Sequence, residues 1–386
     1  MWAFIFRALF AGLGLGLLYL GSRFARFSAV RRAAGKWKAL LPRKKCIPWK
    51  KGIPEKLLCF LIGLVPALVM VLALWKALGV FNAAICVIHL TVIWILCDGV
   101  NLVVRKKRGR GFERYYAGVF ALGITFCYLA CGWYLAHHVW RTAYALDTEK
   151  QVGNLRIVLF ADSHVGSTFD GEGFGELVER MQEEHPDIVV VVGDYVDDDT
   201  TKEDMVAACE ALGTLETTYG VYYAFGNHDK GYFGPAYRGY SGADLVAELE
   251  RNGVTVLQDE TVLLGGQFYL IGRQDRSQPG RASMEELTAG LDRDRYSIVL
   301  DHQPYEYDAQ AASGVDLVLS GHTHGGQLFP FHRFGEWLGM DAKIYGLERR
   351  ENTDFIVTSG ISDWTIQFKT GCRSEYVVVD VLGAEP

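Results

Sequence analysis

Long apolar runs before residue 140 set the first constraint on this chain. Residues 57–78, 80–104 and 115–138 each hold the roughly 20 mostly apolar residues that a helix needs to cross a bilayer. Residues 2–21 form a fourth run, which Arg7 interrupts. The sequence therefore predicts an α-helical transmembrane region of about four spans over residues 1–144, followed by a second domain over residues 145–386.

Residues 2–21 also resemble a secretory signal, which would be cleaved. A signal carries its positive charge before the apolar run, whereas here the charge follows it. The adjacent pair Arg31 and Arg32 also lies on the wrong side for a twin-arginine signal. These features favour an uncleaved anchor.

Basic residues predict the orientation of the spans, because Lys and Arg collect in cytoplasmic loops. Twelve of them fall in 22–56 and six in 105–114, with almost none in the turn between the second and third spans. Both basic segments are cytoplasmic only if the N-terminus lies outside and four spans follow. The sequence thus predicts a multi-pass cell-membrane protein whose second domain is extracytoplasmic.

The second domain is strongly acidic. Of the 39 Lys and Arg residues, 21 precede residue 145, whereas only 3 of the 45 acidic residues do. Residues 145–386 therefore carry 18 basic and 42 acidic residues. Nucleic-acid backbones are bound largely by Lys and Arg, so this composition argues against a nucleic-acid partner.

The second domain has the pattern of an α/β fold. Continuous apolar runs bounded by polar loops are typical of strands buried on both faces. Helical periodicity separates several of them, at 174–181, 202–213, 241–252 and 284–291. The predicted strands are 155–160, 187–192, 221–225, 296–300, 315–320, 355–359 and 375–380.

Polar clusters follow five of these strands directly. Ligands of α/β sheets bind beyond the carboxyl ends of strands, so we expect the clusters to meet at one edge. Each cluster alone has an ordinary explanation as a turn, but five in succession indicate one site. The clusters are Asp162-Ser163-His164, Gly193-Asp194-Tyr195-Val196-Asp197, Gly226-Asn227-His228-Asp229, Asp301-His302 and Gly321-His322-Thr323-His324.

In order, these clusters resemble the calcineurin-like metallophosphoesterases, whose motifs are D-x-H, G-D-x-x-D, G-N-H-[DE], a lone H and G-H-x-H. The sequence GHTHGGQ and the preceding spans further resemble the membrane-associated bacterial branch typified by YkuE and YaeI. The resemblance implies a β-sandwich flanked by helices. It also implies two divalent metal ions, one held by Asp162, His164, Asp194 and His324 and the other by Asp194, Asn227, His302 and His322.

The resemblance further assigns catalytic roles. His228 is expected to protonate the leaving oxygen or to stabilise the phosphate charge, with Asp197 orienting it and Asp229 as the rival for that task. Mixed oxygen and nitrogen ligands without thiolate suit Mn²⁺, Fe or Zn²⁺, of which we favour Mn²⁺.

The sequence thus predicts a membrane-anchored, metal-dependent hydrolase of a phosphomonoester or phosphodiester, acting on an envelope or lipid-linked substrate beside membrane lipid. A cytoplasmic domain would instead favour an enzyme like the UDP-diacylglucosamine pyrophosphatases. A non-catalytic membrane sensor is the remaining alternative, although all seven ligand positions and His228 are present.

Overall fold

The computed structural model describes residues 2–40, 54–110, 112 and 114–384. Residues 41–53, which belong to the predicted basic loop 22–56, lie outside the described residues. The chain divides into two compact units, Met1–Cys131 and Gly132–Pro386. The predicted boundary after residue 144 falls within a strand of the second unit, Trp140–Asp147.

The first unit is helical. Its elements are α1 (Trp2–Phe24), α2 (Ser28–Leu40), α3 (Glu55–Arg108) and the start of α4 (Tyr116–His137). Among the described residues, α3 and α4 are long and apolar enough to cross a membrane, and Leu9–Phe24 is a shorter apolar helix. The described helices therefore include two candidate spans, where the sequence predicted about four.

Gly79 interrupts α3 at the point where the sequence places a turn between two spans. Its φ of 81° and ψ of 167° lie outside the helical region, so the helix on either side is not one continuous cylinder. Glycine adopts such a positive φ without the steric cost that a Cβ would bring. The kink separates two apolar segments that match the predicted runs 57–78 and 80–104.

The described part of the second unit, up to residue 384, contains twelve strands. They are β1 (Trp140–Asp147), β2 (Asn154–Phe160), β3 (Ile188–Val192), β4 (Val221–Ala224), β5 (Val254–Leu257), β6 (Glu260–Leu264), β7 (Phe268–Gly272), β8 (Tyr296–Leu300), β9 (Leu317–Ser320), β10 (Gly346–Arg350), β11 (Thr353–Val357) and β12 (Glu375–Leu382). One sheet has the order β1-β12-β2-β3-β4-β5 and the other β10-β11-β9-β8-β7-β6.

Helices accompany these strands along the chain. They are α5 (Gly171–Gln182), α6 (Lys202–Leu212), α7 (Pro235–Arg238), α8 (Gly242–Arg251), α9 (Met284–Thr288), α10 (Tyr307–Ala312) and α11 (Phe334–Trp337).

All seven predicted strands are present within a few residues of the expected bounds. The prediction of a mixed α/β fold is confirmed.

The two sheets share a core because strand side chains alternate between faces. In β2, Leu155, Ile157 and Leu159 join a cluster that also contains Leu270 of β7 and Ile298 of β8. Val158 and Phe160 of β2 point the other way, where they join a cluster with residues of α5, α6 and α8. The outer face of the second sheet packs in the same manner against α9 and α10.

The parallel strands bring their carboxyl ends to common edges. In the first sheet β2, β3 and β4 are parallel neighbours, and in the second sheet β8, β9 and β11 are. Each predicted cluster begins at the end of one of these strands. The fold therefore delivers polar loops from both sheets toward one region.

A substitution at Phe174 of α5 tests how the helices pack on the first sheet. It is fully buried and its ring lies 5.8 Å from that of Phe160 and 5.4 Å from that of Tyr195. We expect Phe174→Ala to lower the free energy of unfolding by about 3–5 kcal/mol, because a large buried ring leaves a cavity. Pulse proteolysis of the full-length protein in detergent, across a urea series, measures the loss.

Leu263→Ala is the matched control, since Leu263 lies on the edge strand β6 with 47% of its surface exposed. We expect its effect to stay within about 0.5 kcal/mol. Equal losses for the two variants would contradict the packing described here.

Candidate metal centre

Two groups of side chains in the described residues have the geometry to hold a metal ion. The ligand atoms of the first group, Asp162, His164 and His324, all lie within 4.8 Å of one another. Asp162 and His164 come from the loop after β2, and His324 comes from the loop after β9. The Nε2 atom of His324 is 3.7 Å from Oδ1 of Asp162. The site thus joins a loop from each sheet.

The second group consists of Asp194, His302 and His322, whose ligand atoms also lie within 4.8 Å of one another. The Oδ2 atom of Asp194 is 3.0 Å from Nε2 of His302. The same oxygen is 4.0 Å from Nε2 of His164, which belongs to the first group. One carboxylate oxygen therefore faces an imidazole from each group.

Hydrogen bonds from the Nδ1 atoms orient three of the imidazoles. His302 Nδ1 lies 2.7 Å from the carbonyl oxygen of Val192, and His324 Nδ1 lies 3.3 Å from that of Ser362. Carbonyl oxygens only accept, so these Nδ1 atoms donate and leave Nε2 with a free lone pair. His164 Nδ1 contacts a carboxylate oxygen of Asp197 at 3.1 Å. This is the usual support for a metal-binding histidine.

Buried polar atoms without hydrogen-bond partners test whether a metal fits. Within the part of the chain that the structure describes, four such atoms belong to predicted ligands. Leaving them unpaired carries a desolvation cost, and such groups normally have a partner. Cations at this position would satisfy all four, so the residues present fit metal ions. The atoms are Nε2 of His164, Nε2 of His302, Nδ1 of His322 and Oδ1 of Asn227.

Asn227 is oriented by a residue that the sequence indicated only as part of an aromatic stretch. Its Nδ2 donates to the hydroxyl oxygen of Tyr232 at 2.9 Å. The amide nitrogen is therefore engaged, and Oδ1 is the atom left for a cation. Asn227 stays a predicted ligand of the second group, with its oxygen free of any hydrogen bond among the described residues.

The backbone of the site is unusually strained. Positive φ is uncommon outside glycine and costs of order 1–3 kcal/mol where the surroundings must hold it. Five of the seven predicted ligands adopt it, at angles between 37° and 71°. These residues are Asp162, His164, Asp194, His322 and His324.

Gly226 permits the closest approach between loops of the first sheet. A Cβ at this position would lie 2.2 Å from Oδ1 of Asp194 and 2.3 Å from its backbone nitrogen. No side chain fits there without moving the carboxylate. The position of the Asp194 side chain therefore requires a glycine in the G-N-H-D motif.

Charges inside the cluster are strongly coupled. Burial raises the pKa of Asp162 to about 6 and lowers the pKa of His322 to about 4. Burial also opposes protonation of His302, but the adjacent Asp194 carboxylate raises its pKa well above the ordinary value. The Asp194 carboxylate thus favours positive charge beside it, which a cation held by the neutral imidazoles would supply.

Asp197 takes a different partner from the one that the resemblance implied. Its Oδ2 contacts Nδ1 of His164, so it orients a predicted ligand, whereas the sequence analysis paired it with His228. Its Oδ1 accepts from the backbone nitrogens of Asp199 and Thr200. The Asp197 carboxylate is therefore fixed on both sides, with one oxygen on the backbone and the other on His164.

Asp229, the rival residue, is a buried structural carboxylate. It accepts from four backbone nitrogens, those of Asp194, Tyr195, Val196 and Gly226, at 2.6–3.1 Å. These bonds tie the loop after β3 to the loop after β4. Asp229 thereby sets the backbone from which Asp194 projects.

His228 lies at the first group, beside aromatic rings. Its ring centroid is 5.1 Å from those of His164 and Tyr232, and 4.9 Å from that of Trp364. Its backbone nitrogen donates to Oδ1 of Asp194 at 2.8 Å. The residue therefore both fixes the Asp194 carboxylate and presents an imidazole at the site.

Lys369 is a buried structural residue that the sequence analysis does not predict. It is fully buried, and its Nζ donates to the carbonyl oxygens of Ser359 and Ser362 and to Oγ of Ser374. It also lies 3.4 Å from Oδ1 of Asp363. This cation holds the loop after β11 against His324.

Asp197→Asn distinguishes the two roles considered for this residue. A partner that orients a metal-binding histidine typically contributes 10- to 100-fold in metal affinity, so we expect a loss of about that size. Competition against a metal-sensitive chelator, with the bound metal counted by mass spectrometry, gives the affinity. Asp199→Asn in the same loop is the control and should bind normally. Unchanged affinity in Asp197→Asn with slower turnover would restore the pairing with His228.

The sequence of this chain is similar to those of known proteins. Residues 155–326 match the sequence model of the calcineurin-like phosphoesterase family. A metallophosphoesterase of Helicobacter pylori is 30% identical over 66% of this chain and 70% of its own length. The metallophosphoesterase YkuE of Bacillus subtilis is 32% identical over 46% of this chain and 61% of its own length. A transmembrane protein with a metallophosphoesterase domain from Danio rerio is 31% identical over 58% of this chain and 53% of its own length.

The matched residues include every predicted ligand, from Asp162 to His324, so the family resemblance and the two clusters concern the same part of the chain. The predicted family is confirmed. The chain belongs to the calcineurin-like phosphoesterases, and it is a metal-dependent phosphoric ester hydrolase.

Proposed function

We propose that this protein is a membrane-anchored phosphoesterase that hydrolyses a phosphomonoester or phosphodiester of a lipid-linked or envelope substrate. The observation that carries the proposal is the pair of ligand groups on either side of Asp194 Oδ2. A single carboxylate oxygen between two sets of imidazoles suits two cations better than one. Loops from both sheets must fold correctly to produce this arrangement.

In this proposal the seven predicted residues divide between two sites that share Asp194. Asp162, His164 and His324 complete the first, and Asn227, His302 and His322 complete the second. When bound, two divalent cations supply Lewis-acid activation of water and neutralise phosphate charge. The oxygen and nitrogen donors suit Mn²⁺, which we favour over Fe and Zn²⁺.

The chain's own residues have three further tasks. Asp197 holds the His164 ring, and Asp229 holds the backbone of Asp194. His228 is proposed to give a proton to the leaving oxygen, since its ring lies against the first group.

Exposed aromatic rings beside the site support a substrate with an apolar part. Tyr232, which bonds Asn227, is 60% exposed, and the neighbouring Phe233 and Tyr237 are 72% and 61% exposed. Tyr240, the fourth aromatic residue of this stretch, is buried. Exposed aromatic groups this close to the ligands suit contact with a lipid-linked substrate.

The last residues of α4, from Gly132 onward, belong to the second unit and bond to a segment beside the metal centre. The backbone nitrogen of Lys369 donates to the carbonyl oxygen of Gly132, and that of Ser374 donates to the carbonyl oxygen of Leu135. Between these residues, Sγ of Cys372 contacts the carbonyl oxygen of His324.

We further propose the four-span topology, with the N-terminus and the catalytic domain outside. The kink at Gly79 supports a turn between two spans within α3. The basic residues at the end of α3, Arg105 to Arg108, support a cytoplasmic end there.

Turnover is tested with the full-length protein in detergent. We expect Mn²⁺-dependent hydrolysis of bis-p-nitrophenyl phosphate or p-nitrophenyl phosphate, and the ratio of the two rates gives the ester preference. Losing a residue that only orients a metal ligand typically costs up to roughly 100-fold. Asp194→Asn should lower the rate by more than this, because it changes a ligand that both cations would share. Asp147→Asn, at the exposed end of β1, is the control and should retain the rate. Equal activity in Asp194→Asn would contradict the shared-ligand assignment.

Orientation is tested by reporter fusions. Alkaline phosphatase fused after Ala384 should be active, and a fluorescent protein fused after Gly109 should fluoresce, because the first position is outside and the second inside. The reversed pattern would place the domain in the cytoplasm. It would then favour an enzyme like the UDP-diacylglucosamine pyrophosphatases.

A further inference from the structure

The first unit contains a basic cavity that the hydrolytic site does not use. The cavity measures about 450 Å³ and lies where the turn after α1 meets the end of α3. Among the described residues that line it, five are arginines and one is acidic. They are Arg23, Arg26, Arg31, Arg105, Arg114 and Asp98.

Asp98 organises one side of the cavity. Its carboxylate lies 3.0 Å from Nε of Arg23 and 3.5 Å from Nη1 of Arg26. It also accepts from the hydroxyl of Tyr115 at 2.7 Å, and that hydroxyl accepts from Nε1 of Trp94 at 2.8 Å. Asp98 is buried, and the network holds the two arginines in place.

The remaining arginines are not neutralised by the residues described. Arg31, Arg105 and Arg114 form no salt bridge within residues 2–40, 54–110, 112 and 114–384. Among the described residues that line the cavity, one carboxylate thus accompanies five guanidinium groups. Basic residues gathered around one space raise the positive potential there, and this potential attracts an anion.

We propose that this cavity binds the phosphate group of an anionic phospholipid. Guanidinium groups bind phosphate with paired, charge-assisted hydrogen bonds. Leu102 and Phe112 line the same cavity and offer apolar contacts for the glycerol and acyl part. Basic pockets between membrane helices on the cytoplasmic side take lipid headgroups of this kind.

This inference rests on the membrane part of the proposed function and is independent of its catalytic part. A topology signal needs only enough Lys and Arg in a loop, wherever they lie. A headgroup site needs particular arginines around a cavity. Basic residues of the same segments that do not line the cavity therefore provide a charge-matched comparison.

The experiment uses the full-length protein in mild detergent, with phosphatidylglycerol, phosphatidylcholine or soluble glycerol 3-phosphate added. Native mass spectrometry measures lipid retention, and thermal unfolding measures stabilisation. Phosphatidylglycerol should be retained and should raise Tm, whereas phosphatidylcholine should do neither. Equal effects of the two lipids, or full stabilisation by glycerol 3-phosphate, would overturn the proposal of an anionic lipid site.

The triple variant R31Q/R105Q/R114Q should lose retention of phosphatidylglycerol by about tenfold or more, as expected when charged hydrogen-bond partners are removed. The control R32Q/K107Q/R110Q removes the same charge from the same segments and should bind normally. If the triple variant does not fold, Arg31→Gln is compared with Arg32→Gln. Equal retention between a lining variant and its control would contradict the proposal.

Discussion

The position of the Asp194 carboxylate is the constraint on which the metal centre depends. A buried carboxylate is costly unless its oxygens are engaged, and here each oxygen has a separate task. Oδ1 accepts from the backbone of His228, and Oδ2 faces His164 and His302. Asp229 fixes the backbone around it, and Gly226 leaves the space for it. These contacts join the motifs G-D-x-x-D and G-N-H-D of this chain.

Much of this site was predictable because parallel strands place their following residues at one edge. The interior strands, such as β3 and β8, were found from their continuous apolar runs. All four edge strands, β1, β5, β6 and β10, were missed, as was β7. Edge strands carry exposed polar residues, as in Gly346–Arg350, so their hydropathy resembles that of loops. The partner of Asp197 was also unpredictable, because sequence spacing does not show which of two neighbouring imidazoles a carboxylate reaches.

In the membrane region, too, the sequence pattern predicted the helices but not the contacts between their side chains. Apolar length predicted the helices of α3 and α4, and glycine marks the interruption at Gly79. Hydropathy gave no sign that Asp98, Tyr115 and Trp94 form a network, since each stands alone among apolar or basic residues. Lys369 likewise looks like an ordinary surface residue in the sequence but is fully buried beneath the loop after β11. The role of a buried polar residue depends on partners that are distant along the chain.

We propose that Asp194 joins two cation sites into one centre. The most direct measurement is anomalous X-ray diffraction from crystals of the full-length protein grown with Mn²⁺. We expect one ion on the group of Asp162, His164 and His324 and another on the group of Asn227, His302 and His322, both bound by Asp194. A single ion, or two ions of which only one contacts Asp194, would contradict it.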